Sequence, residues 1–295
     1  MLPLGLMRAS TNGVELEYET FGNEGEPPVV LVMGFSQQLI AWDTEFCTRL
    51  AARGFRVVRF DNRDVGLSTK IDGPRPNIPA ILGGDRSTVS YGIDDMADDT
   101  AGLIEWLGFE RANVVGVSMG GMIAQTLAIR HPRVVKSLVS IMSTTGDTSV
   151  GHAQPATLGL LMKRAPTERE ENIEHGVRVW HVLRSPGFTY DEGQGRTRIA
   201  AAFDRSFSPE GVARQFAAIA SQADRTAALA NVKVPATVIH GAEDSLIDRS
   251  GGEATARAIP GAKLVIVPGM GHDLPAAVWP LVIDAIVETA SRAAR

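Results

Sequence analysis

Two kinds of apolar pattern alternate along the chain. Val14-Glu15-Leu16-Glu17-Tyr18-Glu19 switches between apolar and acidic residues at each step, the period of a strand with one dry face, and predicts an edge strand. After a polar turn over 22–28 the pattern changes. Val29-Val30-Leu31-Val32-Met33 is unbroken, as expected of a strand covered on both faces. Similar runs recur at Val57-Val58, Val114–Val117, Leu138–Ile141, Val234–Ile239 and Leu264–Val267. Stretches of helical period lie between them. In the clearest, Ile93, Met96, Ala97, Thr100, Leu103, Ile104 and Leu107 share one face, and Gly108 supplies a stop. Strand runs alternating with helical ones predict an α/β fold, a mostly parallel sheet of about eight strands with helices on both faces.

One segment breaks the rhythm. From about Gly146 to Gln222 there is no buried-strand run, only helix-like stretches, among them a start signal at Ser208-Pro209-Glu210. Residues 146–222 are therefore expected to form a helical lid, with 1–145 and 223–295 as the core. Ligands of open α/β sheets bind at the carboxyl ends of the strands, where such a lid would lie.

Composition narrows the class. With 295 residues, 44% of them hydrophobic and 21% charged, the chain has globular composition and enough length for a large core. Its one cysteine, Cys47, excludes an internal disulfide and fits a reducing compartment. The Met1 to Leu6 run is too short for an export signal, and no apolar run reaches membrane-spanning length. These readings predict a cytoplasmic protein without a membrane span. The formal charge of −5, with no basic run, argues against a nucleic-acid partner. No zinc-type ligand cluster stands out, so neither metal nor organic cofactor is expected. Nothing in the pattern points to a particular oligomeric state.

The candidate chemistry begins at Gly116-Val117-Ser118-Met119-Gly120, a G-x-S-x-G sequence between a strand run (Ala112–Val117) and a helical stretch (Met122–Arg130). A serine at such a junction sits on a sharp turn at a helix N-terminus, where backbone N–H groups favour negative charge. A serine hydroxyl needs a base. Of six histidines, His272 lies in Pro268-Gly269-Met270-Gly271-His272, a glycine-rich loop straight after the last strand run. His240 lies within a strand, His131 at a helix end, and His152, His175 and His181 in the insertion. The base in turn needs an acid. Asp244 follows the preceding strand run and is the choice. Glu243 and Asp248 are its neighbours, and Asp147 is a second option past an earlier strand. The order Ser, acid, His is that expected for a nucleophile elbow on an α/β sheet. Two N–H donors are needed for an oxyanion. Met119 supplies one by position, and Phe35, after Gly34 in the loop that follows the Val29–Met33 run, is assigned the other.

Over nearly its whole length the chain resembles the α/β-hydrolase superfamily. Met33-Gly34-Phe35, Asp61-Asn62-Arg63-Asp64-Val65-Gly66-Leu67-Ser68, Gly116 to Gly120 and Gly269 to His272 carry the resemblance. The second of these is similar to a D-x-R-x-x-G-x-S turn that is structural in that family. Within it, Val32-Met33-Gly34, Trp42, the Asp61–Asp64 turn and Pro268–His272 most resemble the aclacinomycin methylesterase group and related actinobacterial esterases. Where many members carry His-Gly, this chain has Met33-Gly34, which removes a side chain that often braces the loop. The resemblance implies a serine carboxylesterase acting on small to medium apolar esters through an acyl-enzyme. Phe35 and Trp42 are candidate substrate contacts. Alternatives on the same triad are a cofactor-free perhydrolase (haloperoxidase), a carbon–carbon bond hydrolase or a thioesterase. A ligand-binding receptor on a hydrolase scaffold is an alternative of a different class. Ser118 in place of an aspartate nucleophile argues against a dehalogenase or epoxide hydrolase.

Overall fold

The unbroken apolar runs form the middle of a single sheet. The structure of the protein, a computed structural model, describes residues 4–294. Of the Met1 to Leu6 run, residues 1–3 lie outside the described residues. Among the described residues the strands are β1 (Leu4–Thr11), β2 (Val14–Phe21), β3 (Pro28–Val32), β4 (Arg56–Phe60), β5 (Ala112–Val117), β6 (Val135–Ile141), β7 (Ala236–Gly241) and β8 (Lys263–Val267). They are ordered β1-β2-β4-β3-β5-β6-β7-β8, with β1 and β2 antiparallel and the rest parallel. The α-helices are α1 (Thr44–Ala51), α2 (Ile78–Leu82), α3 (Ile93–Trp106), α4 (Met119–Arg130), α5 (Pro155–Leu161), α6 (Arg169–Leu183), α7 (Glu192–Arg205), α8 (Pro209–Ala220), α9 (Thr226–Leu229), α10 (Arg249–Ala258) and α11 (Trp279–Arg292).

Both faces of the central strands are dry. Val30 and Val32 join a core with α3 and α4, while Val29 and Leu31 join a second core with α1 and α11. All four are fully buried, each side chain contributing about 1.5–3 kcal/mol by burial. The expected helix after Ile93 ends at Trp106, with Gly108 at φ 71° behind it.

The amino-terminal edge departs from expectation. β2 is not the edge. β1 pairs along it on one side and β4 on the other. Glu17 and Glu19, which the alternation assigns to a wet face, are buried. They are tolerated because each meets a guanidinium: Arg8 Nε lies 3.0 Å from Glu17 Oε2, and Arg59 Nε lies 2.8 Å from Glu19 Oε2. Opposite charge and hydrogen bonds offset the desolvation that otherwise keeps carboxylates at the surface.

Strand order reverses beside β3: the chain steps outward from β3 to β4 and then returns to its other side as β5. This switch point opens a crevice at the strand carboxyl ends. Between β6 and β7 the chain is helical, and its last long helix is tied to the turn after β4. Arg214 forks onto Asp64 at 2.8 and 2.9 Å, both side chains being buried. Arg205 lies 2.7 Å from Asp61. Asp61 also accepts from Leu39 N and Leu67 N. Burial raises its pKa, and Arg205 and these N–H groups oppose the rise. A side chain at Gly66 would collide with the Asp61 carboxylate, and Ser68 Oγ bonds Asp61 O at 2.7 Å. The aspartate-to-serine turn is thus a docking plate for the helices. Arg214→Leu leaves Asp64 as an unpaired buried charge and should cost about 3–5 kcal/mol, read as a lower urea midpoint.

Candidate active site

Three strand ends deliver three side chains to one place. Ser118 directly follows β5 and begins α4 with φ 55° and ψ −119°, a conformation L residues seldom adopt. It persists because neighbours leave room and bonds hold it. Ser118 N donates to Ile141 O at 2.9 Å, and Ser118 O accepts from Gly121 N at 2.8 Å and Ser143 Oγ at 2.9 Å. A Cβ at Gly116 would lie 2.0 Å from Gly120 O, and one at Gly120 would lie 2.1 Å from Val32 O. Both glycines of the motif are therefore there to let backbones pass.

His272 stands on the loop after β8. Its Nε2 lies 2.9 Å from Ser118 Oγ and its Nδ1 2.7 Å from Asp244 Oδ2. An ionised carboxylate only accepts, so Nδ1 carries the proton and Nε2 accepts from the serine hydroxyl. Asp244 follows β7 and its side chain is fully buried. Its Oδ1 accepts from Leu246 N and Ile247 N, both at 2.9 Å. Burial alone would raise the Asp244 pKa. Attraction to His272 once protonated, the nearby His240 N–H and the hydrogen bonds from His272 and the Ile247 N–H outweigh it and hold the carboxyl well below the usual range. A carboxylate depressed on folding stabilises the native state above its unfolded value of about 3.9 and loses that effect only as pH falls through the folded value.

The competing acids are placed elsewhere. Glu243 is exposed. Asp248 caps α10 through Ser250 N, and Asp147 accepts from Ser149 N. His131 pairs with Asp98, and His152 bonds Ser149 O. His240 lies within a strand, β7, as expected, but its closeness to the acid was not anticipated. Its Nε2 donates to Ile247 O at 2.8 Å and stands 3.5 Å from Asp244 Oδ2. A histidine four residues before the acid, at the end of a buried strand, was the available sign.

The loop after β3 reaches over the serine. A Cβ at Gly34 would lie 3.1 Å from Val117 O and 3.2 Å from Ser118 Cβ. Neither the Phe35 nor the Met119 N–H has a hydrogen-bond partner among the described residues. Phe35 is half-buried against Phe216 of α8, ring centroids 5.9 Å apart. Trp42, expected at the substrate, is instead packed as core. It is 1% exposed and stacked on Phe46 at 5.4 Å, because the short turn before α1 folds its ring under the sheet.

The helical segment also touches the histidine loop. His272 N donates to Leu183 O at 2.7 Å and Gly187 N to Gly269 O at 2.9 Å. Asp273 accepts from Ser185 N at 2.9 Å and from Ser185 Oγ. Burial raises the Asp273 pKa, against those two bonds. Among the described residues, no three His, Cys, Asp or Glu side chains form a metal-ligand group, and no helix is long and apolar enough to cross a membrane.

A serine hydroxyl bonded to an imidazole that is in turn bonded to a buried carboxylate, at the carboxyl edge of a parallel sheet, is an arrangement able to perform acyl transfer. The family model for the alpha/beta hydrolase fold matches residues 27–275, and the chain belongs to that family. It is 28% identical over 286 residues to rhodomycin D methylesterase DauP of Streptomyces sp. (strain C5), covering 90% of this chain and 91% of the relative. It is 25% identical to the bifunctional esterase/perhydrolase DCH of Acinetobacter calcoaceticus, again over 90% and 91%. The enol-lactonase of Burkholderia xenovorans LB400 superposes with a TM-score of 0.76 at 25% identity, covering 97% of this chain and all of that one. The chain is a carboxylic ester hydrolase.

The glycine contacts make a graded prediction. Gly120→Ala sets a methyl against backbone and should cost about 3 kcal/mol, seen as lost soluble yield or a lower Tm. Gly34→Ala meets softer contacts and should keep Tm within a few degrees while lowering kcat.

Proposed function

We propose that the chain is a serine carboxylesterase in which Ser118 is the nucleophile, His272 the general base and Asp244 its acidic partner. The observation that carries this reading is the unbroken hydrogen-bond chain from Ser118 Oγ through His272 to Asp244, with hydroxyl, imidazole and carboxylate each in reach of the next. His272 takes the hydroxyl proton as Ser118 attacks the ester carbonyl. The Phe35 and Met119 N–H groups hold the oxyanion, and His272 returns the proton to the departing alcohol. Water then gives its proton to His272 and attacks the acyl-enzyme, releasing the acid and restoring Ser118. These steps need no metal or organic cofactor.

Small to medium apolar esters are the proposed substrates, supported by the half-buried Phe35 beside Gly34, whose ring packs against Phe216 of α8. Methyl esters are the natural first set, since one relative is named a methylesterase. Residues 146–222 are proposed to act as the lid, supported by their bonds to the Gly269–Asp273 loop and to the turn after β4. A perhydrolase activity on the same triad is the second reading. The printed name of the Acinetobacter relative favours it, and hydrogen peroxide would then replace water at the second step.

A panel of p-nitrophenyl and methyl esters, combined with fluorophosphonate labelling and peptide mapping, tests the reading. The label should fall on Ser118. Ser118→Ala should lower kcat by on the order of 10⁶ without altering Tm. Asp244→Asn should lower it by on the order of 10⁴, while Glu243→Gln, Asp248→Asn and Asp147→Asn stay within about threefold of wild type. A large loss in Asp147→Asn would overturn the acid assignment. Because the Asp244 pKa is held low, Asp244 stays ionised throughout the working range. The acid limb of the pH–activity profile should therefore carry a single ionisation, with none contributed by Asp244. A second ionisation on that limb would contradict the arrangement.

A further inference from the structure

We propose that Gln215, carried by α8 of the helical insertion, is a positioning residue for the oxyanion-binding loop. The inference rests on the serine-esterase reading above and deepens it.

The Phe35 N–H belongs to the peptide joining Gly34 to Phe35. The peptide on each side of it is held by a buried amide side chain. On the near side, Met33 O accepts from Asn62 Nδ2 at 2.9 Å. On the far side, Ser36 N donates to Gln215 Oε1 at 2.9 Å. Gln215 is fully buried, and its Nε2 donates to Arg63 O at 2.9 Å. The direction of the amide is fixed by its partners, since a backbone N–H only donates and a carbonyl only accepts. Gln215 therefore cannot turn over without losing both bonds.

Such a clamp matters because the loop would not hold this shape unaided. Ser36 has φ 62°, a left-handed conformation that a non-glycine residue keeps only when its surroundings hold it. Within the loop one bond closes the turn, Gln37 N to Gly34 O at 3.3 Å, and the methionine at 33 offers no polar group to support it. Released from Gln215, the Phe35–Ser36 peptide is free to rotate, and the adjoining Gly34–Phe35 peptide, which carries the Phe35 N–H, loses its anchor on that side. An oxyanion donor acts only when already aimed at the charge that develops.

Gln215 is itself held. Its neighbour Arg214 forks onto Asp64, and Phe216 packs on Phe35. A Cβ at Gly211 would lie 2.2 Å from Asp64 O, so the helix sits directly on the turn after β4. Gly211, Arg214, Gln215 and Ala218 are all buried. Their spacing of three, four and seven residues puts two polar side chains on the face that docks. The insertion thus completes the catalytic centre as well as covering it. A shift of α8 away from the sheet withdraws support from the oxyanion donor.

The test uses the full chain and Gln215→Leu, which keeps bulk and removes both bonds. Turnover of p-nitrophenyl acetate and butyrate is measured alongside inhibition by a short alkyl trifluoromethyl ketone. Its hemiketal with Ser118 places a negative oxygen in the oxyanion site. The expected result is a fall in kcat of about 10- to 100-fold, KM within about threefold, and ketone inhibition weakened by the same factor as kcat. Gln215→Glu retains the acceptor for Ser36 N and should recover much of kcat. A purely structural role predicts the opposite pattern: raised KM or lowered Tm, with kcat and ketone inhibition unmoved. That result, or no recovery in Gln215→Glu when the variant is folded, overturns the proposal. If Gln215→Leu does not fold, Gln215→Asn, too short to reach both partners, makes the same comparison. A wild-type protein that neither turns over the esters nor binds the ketone removes the esterase reading and this proposal together. A wild type active in both, with an unaffected Gln215→Leu, removes the proposal alone.

Discussion

Ser118 holds a backbone conformation at φ 55° that a side-chain-bearing residue tolerates poorly, and much of the surrounding architecture can be understood as what keeps it there. Strain of this kind costs on the order of 1–3 kcal/mol and survives only where the neighbourhood over-determines it. Here β5 lies between β3 and β6, which hold it from both sides. Ile141 O takes the serine N–H, and Ser143 takes its carbonyl. Close contacts at Gly34, Gly116 and Gly120 leave no space in which the turn relaxes. The hydroxyl is thereby held at the crevice where strand order reverses, within reach of His272 on the loop after β8.

The proposed triad is likewise a problem of orienting polar groups in a dry place. Asp244 is fully buried, and four donors surround it: two backbone N–H groups, His272 and, at longer range, His240. Buried charge is stable only when its lone pairs are used. With Oδ1 taken up by two backbone N–H groups, Oδ2 is left to accept from the His272 imidazole, which fixes the direction in which that ring faces. Its neighbour Glu243 is exposed and has no such shell, so proximity in sequence does not make it an equivalent acid.

Legibility in the sequence followed the physics of each part. The unbroken strand runs, the serine junction and the glycine-rich histidine loop were readable, because backbone crowding and two-sided burial restrict residue type locally. The acid was readable in outline, since a strand end followed by a carboxylate narrows the choice to a few residues. The edge was misread at β2: alternating glutamates resemble a wet face, and only the distant partners Arg8 and Arg59 make their burial possible. Trp42 was misplaced for a related reason, as an aromatic just past a functional loop is equally suited to core or pocket. Gln215 went unnoticed, although a polar pair on the buried face of α8 was the available sign. Long-range partners, 150 residues or more away along the chain for Arg214 and Gln215, leave no local pattern.

A practical consequence follows from Cys47. Its sulfur is completely enclosed between α1 and the sheet, and burial pushes the thiol up to about 12. Alkylating reagents attack the thiolate, so this sulfur is silent to them in the folded molecule. As the chain's sole cysteine, it leaves the native surface blank for maleimide chemistry. A dye or spin label placed through a new cysteine at an exposed helix position such as Leu158 would report from that point alone, with the wild-type background intact.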